Sequence, residues 1–275
     1  VDHHDSPERT THRRVSRADF LDLPAILPPP GTQSRIVETV AAVDDALAAT
    51  EREANCLAAL LVMRREVLTN DPRHSQVMAE KAFEIRLGRQ RSPERATGPS
   101  MTKYLRSANI GHDELRLDDV MEMDFNENER ARLSLEVGDV LVSEGSAGAD
   151  AVGMPAAWNG EIEGAVCFQN TLLRYRAIKN VTTPEFVRHW CLWAYESGAF
   201  RNSCPPGVNI LHIGATRAKA MRIRLPSIDD QRAIVDELEP LTTAVASLKA
   251  EVSRLRDVRA ALLDALLTRK VEVVA

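Results

Sequence analysis

LPPPGTQSRIVETV (Leu27–Val40) and LPSIDDQRAIVDEL (Leu225–Leu238) are two versions of one segment, and together they decide the architecture. Gln33 and Gln231 are equivalent, 198 residues apart. Each copy opens a long amphipathic helix, and the register of the two helices agrees. The first carries Ile36, Val40, Val43, Leu47, Thr50, Ala54, Leu57, Leu61, Arg64 and Leu68 at alternating spacings of four and three. The second carries Ile234, Leu238, Leu241, Val245, Leu248, Val252, Leu255, Arg259, Leu262 and Leu266 at the same spacings. A 4-3 spacing draws one apolar seam along a helix, and that seam must be buried against a partner. Some 35 residues at 1.5 Å each give about 50 Å of helix. The order is helix, inserted domain, helix.

Four segments follow: a polar N-terminal tail with the remnant of a preceding domain (1–30), a first spacer helix (31–70), an inserted domain (75–225) and a second spacer helix (227–270). LPAILPPP forces an extended chain before the first helix, and Thr32 is placed to cap it. Asn70-Asp71-Pro72 ends that helix. The second helix starts near Ser227 or Asp229 and runs to about Thr268. Pro240 is expected to break it into a short piece ending at Glu239 and a long helix with Pro240 in its first turn, because an interior proline costs roughly 3 kcal/mol. Arg64 and Arg259 fall at seam positions. The simplest expectation is that both snorkel outward; a register device or a partner contact are the other readings. Ser16-Arg17-Ala18 resembles Thr216-Arg217-Ala218, so the first residues look like the end of a second insert. The first residue is Val, and the start of the gene product is expected to lie elsewhere.

No run of eighteen apolar residues exists, which excludes a membrane-spanning helix, and the polar N-terminus is no secretory signal. The four cysteines (Cys56, Cys167, Cys191, Cys204) form no CxxC pair, which fits reduced thiols in a cytoplasmic protein. The net charge of −5 gives no bulk attraction to nucleic acid. Within Ser75–Leu225 the basic and acidic residues balance at 19 each. They are segregated, however. Arg86 to Arg106 holds six basic residues against Glu94 alone, and Asp113 to Glu129 is strongly acidic. A basic segment on a neutral domain can form a local phosphate-facing surface.

In the insert, VGDVLVSEG (Val137–Gly145) reads as a strand entered through a Gly-Asp turn. AVCFQNTLLRYRAI (Ala165–Ile178) reads as one or two strands. PEFVRHWCLWAYES (Pro184–Ser197) reads as a helix with Phe186, Trp190 and Trp193 on one face and Gly198 as its C-cap.

These residues resemble the specificity subunit of a type I restriction-modification system. The resemblance is carried by YLRSANI (Tyr104–Ile110), LDDV (Leu117–Val120), GDVLVSEGSAGADAVG (Gly138–Gly153), FQNTLLRYR (Phe168–Arg176) and the two helix openings, and it covers nearly everything after about residue 14. It implies an α/β (α+β) target-recognition domain flanked by two long helices that form an antiparallel coiled coil. It implies partners: double-stranded DNA, of which each recognition domain reads one half of a split site; methyltransferase subunits; and through them a translocating restriction subunit. It implies no catalysis and no cofactor. A full subunit has two recognition domains, whereas one is complete here. The chain is therefore either a one-domain form that pairs with a second copy of itself or a shortened two-domain subunit.

The DNA-binding candidates are Arg89, Gln90, Arg91 and Ser92 in GRQRSPERATGPS, with Lys103, Tyr104 and Arg106, then Ser143, Gln169 and Asn170. Arg reads guanine and Gln or Asn reads adenine through paired hydrogen bonds in the major groove. The competing reading of the Arg89–Ser92 stretch is a solvated loop. On a strand Lys103 faces away from Tyr104 and Arg106, which leaves Tyr104 as a core candidate and Arg106 as the better DNA candidate. Gln169 and Asn170 serve equally well as strand caps. SEGSAGADAVG lacks GxxxxGK[ST] and reads as a turn near the DNA backbone. SCPPG (Ser203–Gly207) lacks the Asn and the aromatic of an amino-methyltransferase motif and reads as a loop. His189 and Cys191 are too few for zinc, and His212 is expected to pack near the domain exit. The rival functions are a coiled-coil assembly protein whose insert binds another protein, and a methyltransferase or nuclease. Replacing Leu57 or Leu255 by Asp is expected to lower stability by several kcal/mol in denaturant titrations, since a charge would enter an apolar seam; two unchanged midpoints would refute the seam.

Overall fold

The computed structural model describes Leu21 and residues 28–145, 151–205 and 212–268. Helix α1 spans Pro30–Thr69. It begins two residues before Thr32, so Thr32 is not its cap. Pro30 takes the first helical position, where a missing N–H is harmless, and the Pro29 carbonyl accepts from Thr32 N (2.9 Å) and Gln33 N (3.0 Å).

The insert opens with β1 (Ser75–Met78), a one-turn helix α2 (Ala79–Ala82), β2 (Phe83–Leu87) and β3 (Met101–Leu105). Short strands β4 (Ile110–Gly111) and β5 (Glu114–Leu115) precede β6 (Met121–Asp124) and helix α3 (Glu127–Leu133). Then come β7 (Val140–Ser143), β8 (Pro155–Ala157), β9 (Val166–Phe168) and β10 (Leu172–Ala177). Helices α4 (Pro184–Glu196), α5 (Ala199–Asn202) and α6 (Ala215–Ala220) lead to β11 (Arg222–Leu225) and the long helix α7 (Ile228–Leu267). The apolar run from Ala165 is thus two strands, and the α4 span, its Thr183 cap and the left-handed Gly198 after it follow the sequence pattern.

β1 and β11 pair antiparallel, with Ser75 opposite Leu225, so the insert enters and leaves through adjacent strands. A four-stranded sheet runs β2-β10-β7-β8, and a three-stranded sheet runs β6-β3-β9 with β3 and β9 parallel. β10 separates two cores by the period of two of a strand. One core holds Leu173, Tyr175, Phe83, Phe186, Trp190 and Phe200 and takes in Leu61, Ile234, Leu238 and Val245 from α1 and α7. The other holds Tyr104, Leu105, Met123, Phe125, Trp158, Phe168 and Leu172.

The chain divides into two compact units. Residues 50–251 form one; residues before 50 and after 251 form the other. In the larger unit the Arg64 Nε donates to Glu237 across the helices at 2.7 Å. In the smaller, Arg259 reaches Asp44, with its Nη2 3.3 Å from the carboxylate. Both seam arginines therefore reach outward, as expected, and there meet a carboxylate of the opposite helix in ion pairs that stay about 40% exposed. Helix α7 is continuous through Pro240, contrary to the expected break. Proline removes one N–H from the ladder, but buried Ile234, Leu238 and Val245 hold the helix on both sides of it, and the Thr242 hydroxyl donates to the Leu238 carbonyl at 2.9 Å.

Two ion networks, one buried and one half-buried, tie α4 to the two long helices within the larger unit. Arg65, 2% exposed, binds Glu196 at 2.5 Å. Burial pushes the Glu196 carboxyl up, but a His112 hydrogen bond and the Arg65 charge outweigh it and hold its pKa below 4.5. Arg188 binds Asp113 (2.6 Å) and Glu239 (2.8 Å), and His189 Nε2 lies 3.1 Å from Glu239. Burial pushes the His189 imidazole below 6.5 despite the upward pull of Glu239. No helix among the described residues is long and apolar enough to cross a membrane.

A histidine with a depressed folded pKa stabilises the fold above the unfolded value of 6.5, and this contribution is lost as pH falls below it; Glu196 adds a second loss below 4.5. Urea midpoints are therefore expected to fall from about pH 7 to about pH 5, and His189→Gln should flatten that slope. An equal slope in the variant would remove His189 as the cause.

Candidate nucleic-acid interface

Four strand ends converge on one rim of the inserted domain. The first is the exit of β2. Gly88 lies so close to the β9–β10 turn that a Cβ on it would stand 2.3 Å from the Gln169 carbonyl oxygen and 2.4 Å from that of Phe168. Glycine is required there because backbone meets backbone. The contact is sealed by Arg89 N donating to Phe168 O (3.0 Å) and Asn170 N donating to Arg89 O (3.1 Å). The second is the exit of β3, where Leu105 O accepts from Gln169 N at 2.8 Å. The third is the turn itself, in which Thr171 Oγ1 accepts from Ser107 N (3.1 Å). The fourth is the end of β7, where Glu144 N donates to Thr171 O at 2.9 Å.

This arrangement brings Arg89, Gln90, Arg106, Gln169 and Asn170 together from three separate sequence segments. Gln90 and Arg91 are exposed; Arg89, Ser92, Arg106, Gln169 and Asn170 are half-buried. Ser143 ends β7, 2% exposed, and its hydroxyl has no hydrogen-bond partner among the described residues. It lines a cavity of about 210 Å³ with Ser107, Ala108, Ile110, Ala151 and Met154. Lys103 is exposed on β3, opposite Glu122 of β6. Tyr104 is fully buried and its hydroxyl meets the Met121 sulfur at 3.6 Å, so this candidate belongs to the core and not to the rim surface. β3 is the middle strand of its sheet and buries this face against Phe125, whose ring centroid lies 6.4 Å away.

Most basic charge near the rim is already paired. Arg89 and Arg95 both reach Glu129, at 2.9 and 2.7 Å. Arg106 pairs with Asp119, so the basic YLRSANI and acidic LDDV segments meet. Arg174, 1% exposed, lies beneath the rim with its guanidinium 5.9 Å from the centre of the Phe168 ring and pairs with Glu84. At the opposite end of β10 from the rim, Arg176 binds the fully buried Asp139 at 2.6 and 2.7 Å. Among the described residues Arg91 and Lys103 have no carboxylate partner. The pairing could not be read from spacing, since Glu129 is 34 residues from Arg95. The one local signal was Asn126-x-x-Glu129, the pattern of a helix-capping box.

His212 is exposed and forms a β-bridge with Gly145, whereas the neighbouring Ile213 takes the buried place, its N–H bonded to Glu144 O at 2.9 Å. The expected packing of His212 is thus corrected: the strand-like alternation there points the isoleucine inward. Residues 146–150 of the Gly-rich turn and 206–207 of SCPPG lie outside the described residues.

No protein-family model and no curated protein matches this sequence. Solved structures are. The HsdS subunit from Thermoanaerobacter tengcongensis aligns at 18% identity and a TM-score of 0.55, over 94% of this chain and 64% of its own. A chain from a structure on complex assembly and conformational transition of the type I R-M system aligns at 17% and 0.61, over 88% and 60%. The type I restriction-modification S subunit from M. genitalium aligns at 15% and 0.54, over 86% and 61%. This chain spans less than two thirds of the length of each.

Gly88→Ala is expected to destabilise the domain by about 1–3 kcal/mol in urea unfolding, because a methyl group would be forced against backbone oxygens; a neutral effect would show that the β2 exit and the turn are not locked together. The chain shares the fold of type I restriction-modification S subunits over most of its length.

Proposed function

We propose that this chain is a DNA sequence-specificity subunit of a type I restriction-modification system, reading one half of a bipartite target. The observation that carries the reading is the rim: polar side chains from three segments converge on it, in a chain that shares the S-subunit fold. Gln90, Arg91, Gln169 and Asn170 supply base-edge donors and acceptors. Exposed Lys103 supplies a phosphate contact, while half-buried Arg89, Ser92 and Arg106 and the buried Ser143 support the reading segment from within. The paired charges make the rim selective rather than strongly attractive, since a near-neutral domain neutralises few phosphates.

α1 and α7 form the antiparallel coiled-coil spacer in this reading. The cross-helix pair Arg64–Glu237 and the shared burial of Leu61, Leu238 and Val245 support it. The spacer docks methyltransferase subunits, which in turn recruit the restriction subunit, and a second recognition domain comes from a second copy of this chain or from a longer form of it. Leu60, Met63 and Val67 form an exposed apolar stripe on α1, at i, i+3 and i+7 spacing, that suits a protein partner. The same stripe is what a purely protein-binding assembly factor would need, so the DNA test decides between the two. The subunit itself performs no chemistry and holds no cofactor.

The test is to sequence methylation sites in cells carrying this chain and its neighbouring methyltransferase. One sequence motif should depend on the chain. Gln90→Ala, Arg91→Ala and Asn170→Ala should each relax one base pair of the motif, at a cost of about 1–3 kcal/mol of discrimination. A motif unchanged by all three substitutions places base reading elsewhere; methylation that does not depend on the chain removes the reading.

A further inference from the structure

We propose that Glu129 is a specificity-determining restraint on the reading segment: one carboxylate holds Arg89 and Arg95 away from the phosphate backbone and closes the loop between them. The inference rests on the DNA-recognition reading above.

Glu129 sits in the first turn of α3, where the helix fixes it twice. Its N–H donates to the Asn126 side chain at 2.9 Å, and its carboxylate accepts from Asn126 N at 3.1 Å. Its side chain is 14% exposed. From this position one oxygen forms an ion pair with Arg89, 2.9 Å from its Nε but without hydrogen-bond alignment, and the other accepts a hydrogen bond from Arg95 Nη1 at 2.7 Å. Arg95 has a second anchor, the Asp124 carbonyl, at 2.9 Å. On the other side Arg89 is bonded through its backbone to Phe168 and Asn170. The loop from Gln90 to Glu94 is thus tied at both ends to one acid, with Gln90 and Arg91 facing solvent between them.

Burial pushes the Glu129 carboxyl up, but the Arg95 and Asn126 hydrogen bonds and the two guanidinium charges outweigh it and keep the pKa below its ordinary value, so the acid is ionised at neutral pH. Two consequences follow. The loop is ordered before DNA arrives, which lowers the entropy lost on binding. Two arginines are also kept from phosphates, whose contacts add affinity without sequence information. Withholding indiscriminate contacts raises the ratio of specific to non-specific binding.

A role as a helix cap alone predicts an unchanged salt slope on removal of the charge, which separates the two roles. Glu129→Gln keeps the size and the capping hydrogen bond, since Gln serves at this position of a capping box, but it removes the charge. The measurement is fluorescence anisotropy of the full chain with a random-sequence duplex, over roughly 50 to 200 mM salt. The variant is expected to bind this duplex more tightly than the wild type. The slope of log K against log salt should steepen by about 0.9 for each arginine released. Its melting temperature should stay near that of the wild type, and its methylation motif in cells should loosen. Glu129→Ala should steepen the slope in the same way while lowering the melting temperature. A Glu129→Gln slope equal to or shallower than the wild type overturns the restraint, as does an absence of salt-dependent binding in both proteins. If the slope is unchanged while Gln90 and Arg91 substitutions do relax the motif, only the restraint fails. If the slope steepens while those substitutions leave the motif intact, only the base-reading assignment fails.

Discussion

The antiparallel pairing of β1 with β11 is the constraint on which the other features depend. It places Ser75 opposite Leu225, at the roughly 4.8 Å spacing of adjacent strands. α1 ends at Thr69 and α7 begins at Ile228, so a helix ends and a helix starts beside this one two-stranded ribbon. Leu61, Ile234, Leu238 and Val245 share a core with Tyr175, Phe186 and Trp190. In the larger unit the helix segments and the inserted domain are therefore one hydrophobic body. The Arg65–Glu196 and Arg188–Glu239 contacts lie within that body and fix α4 against both helices. Breaking a buried pair by removing one partner leaves an uncompensated charge, which gives such contacts orientational authority beyond their net stability.

The same economy of charge governs the rim. Four arginines at or beneath it, Arg89, Arg95, Arg106 and Arg174, are each committed to an acid of this chain. A surface that looks basic in sequence is close to neutral in space. Any phosphate attraction at the rim is then weak, and its exposed polar groups are Gln90 and Arg91.

The helices, the successive strands β9 and β10, the α4 helix and the glycine after it were legible in the sequence because each is encoded by near neighbours. A 4-3 repeat, a Pro at a helix start and a Gly at a helix end act over a turn or two. The candidate site was legible in part: YLRSANI, FQNTLLRYR and the Arg89–Ser92 stretch do converge on one rim. Tertiary structure alone decided the rest. Tyr104 is core because β3 became a central strand. Ile213, not His212, turned inward. α7 stayed helical through Pro240 because buried side chains on both sides outweigh one missing hydrogen bond. Above all, which arginines are free depends on acids such as Glu129 and Asp119 that are distant or differently placed in the chain, and ion pairing follows distance in space, which spacing along the sequence does not carry.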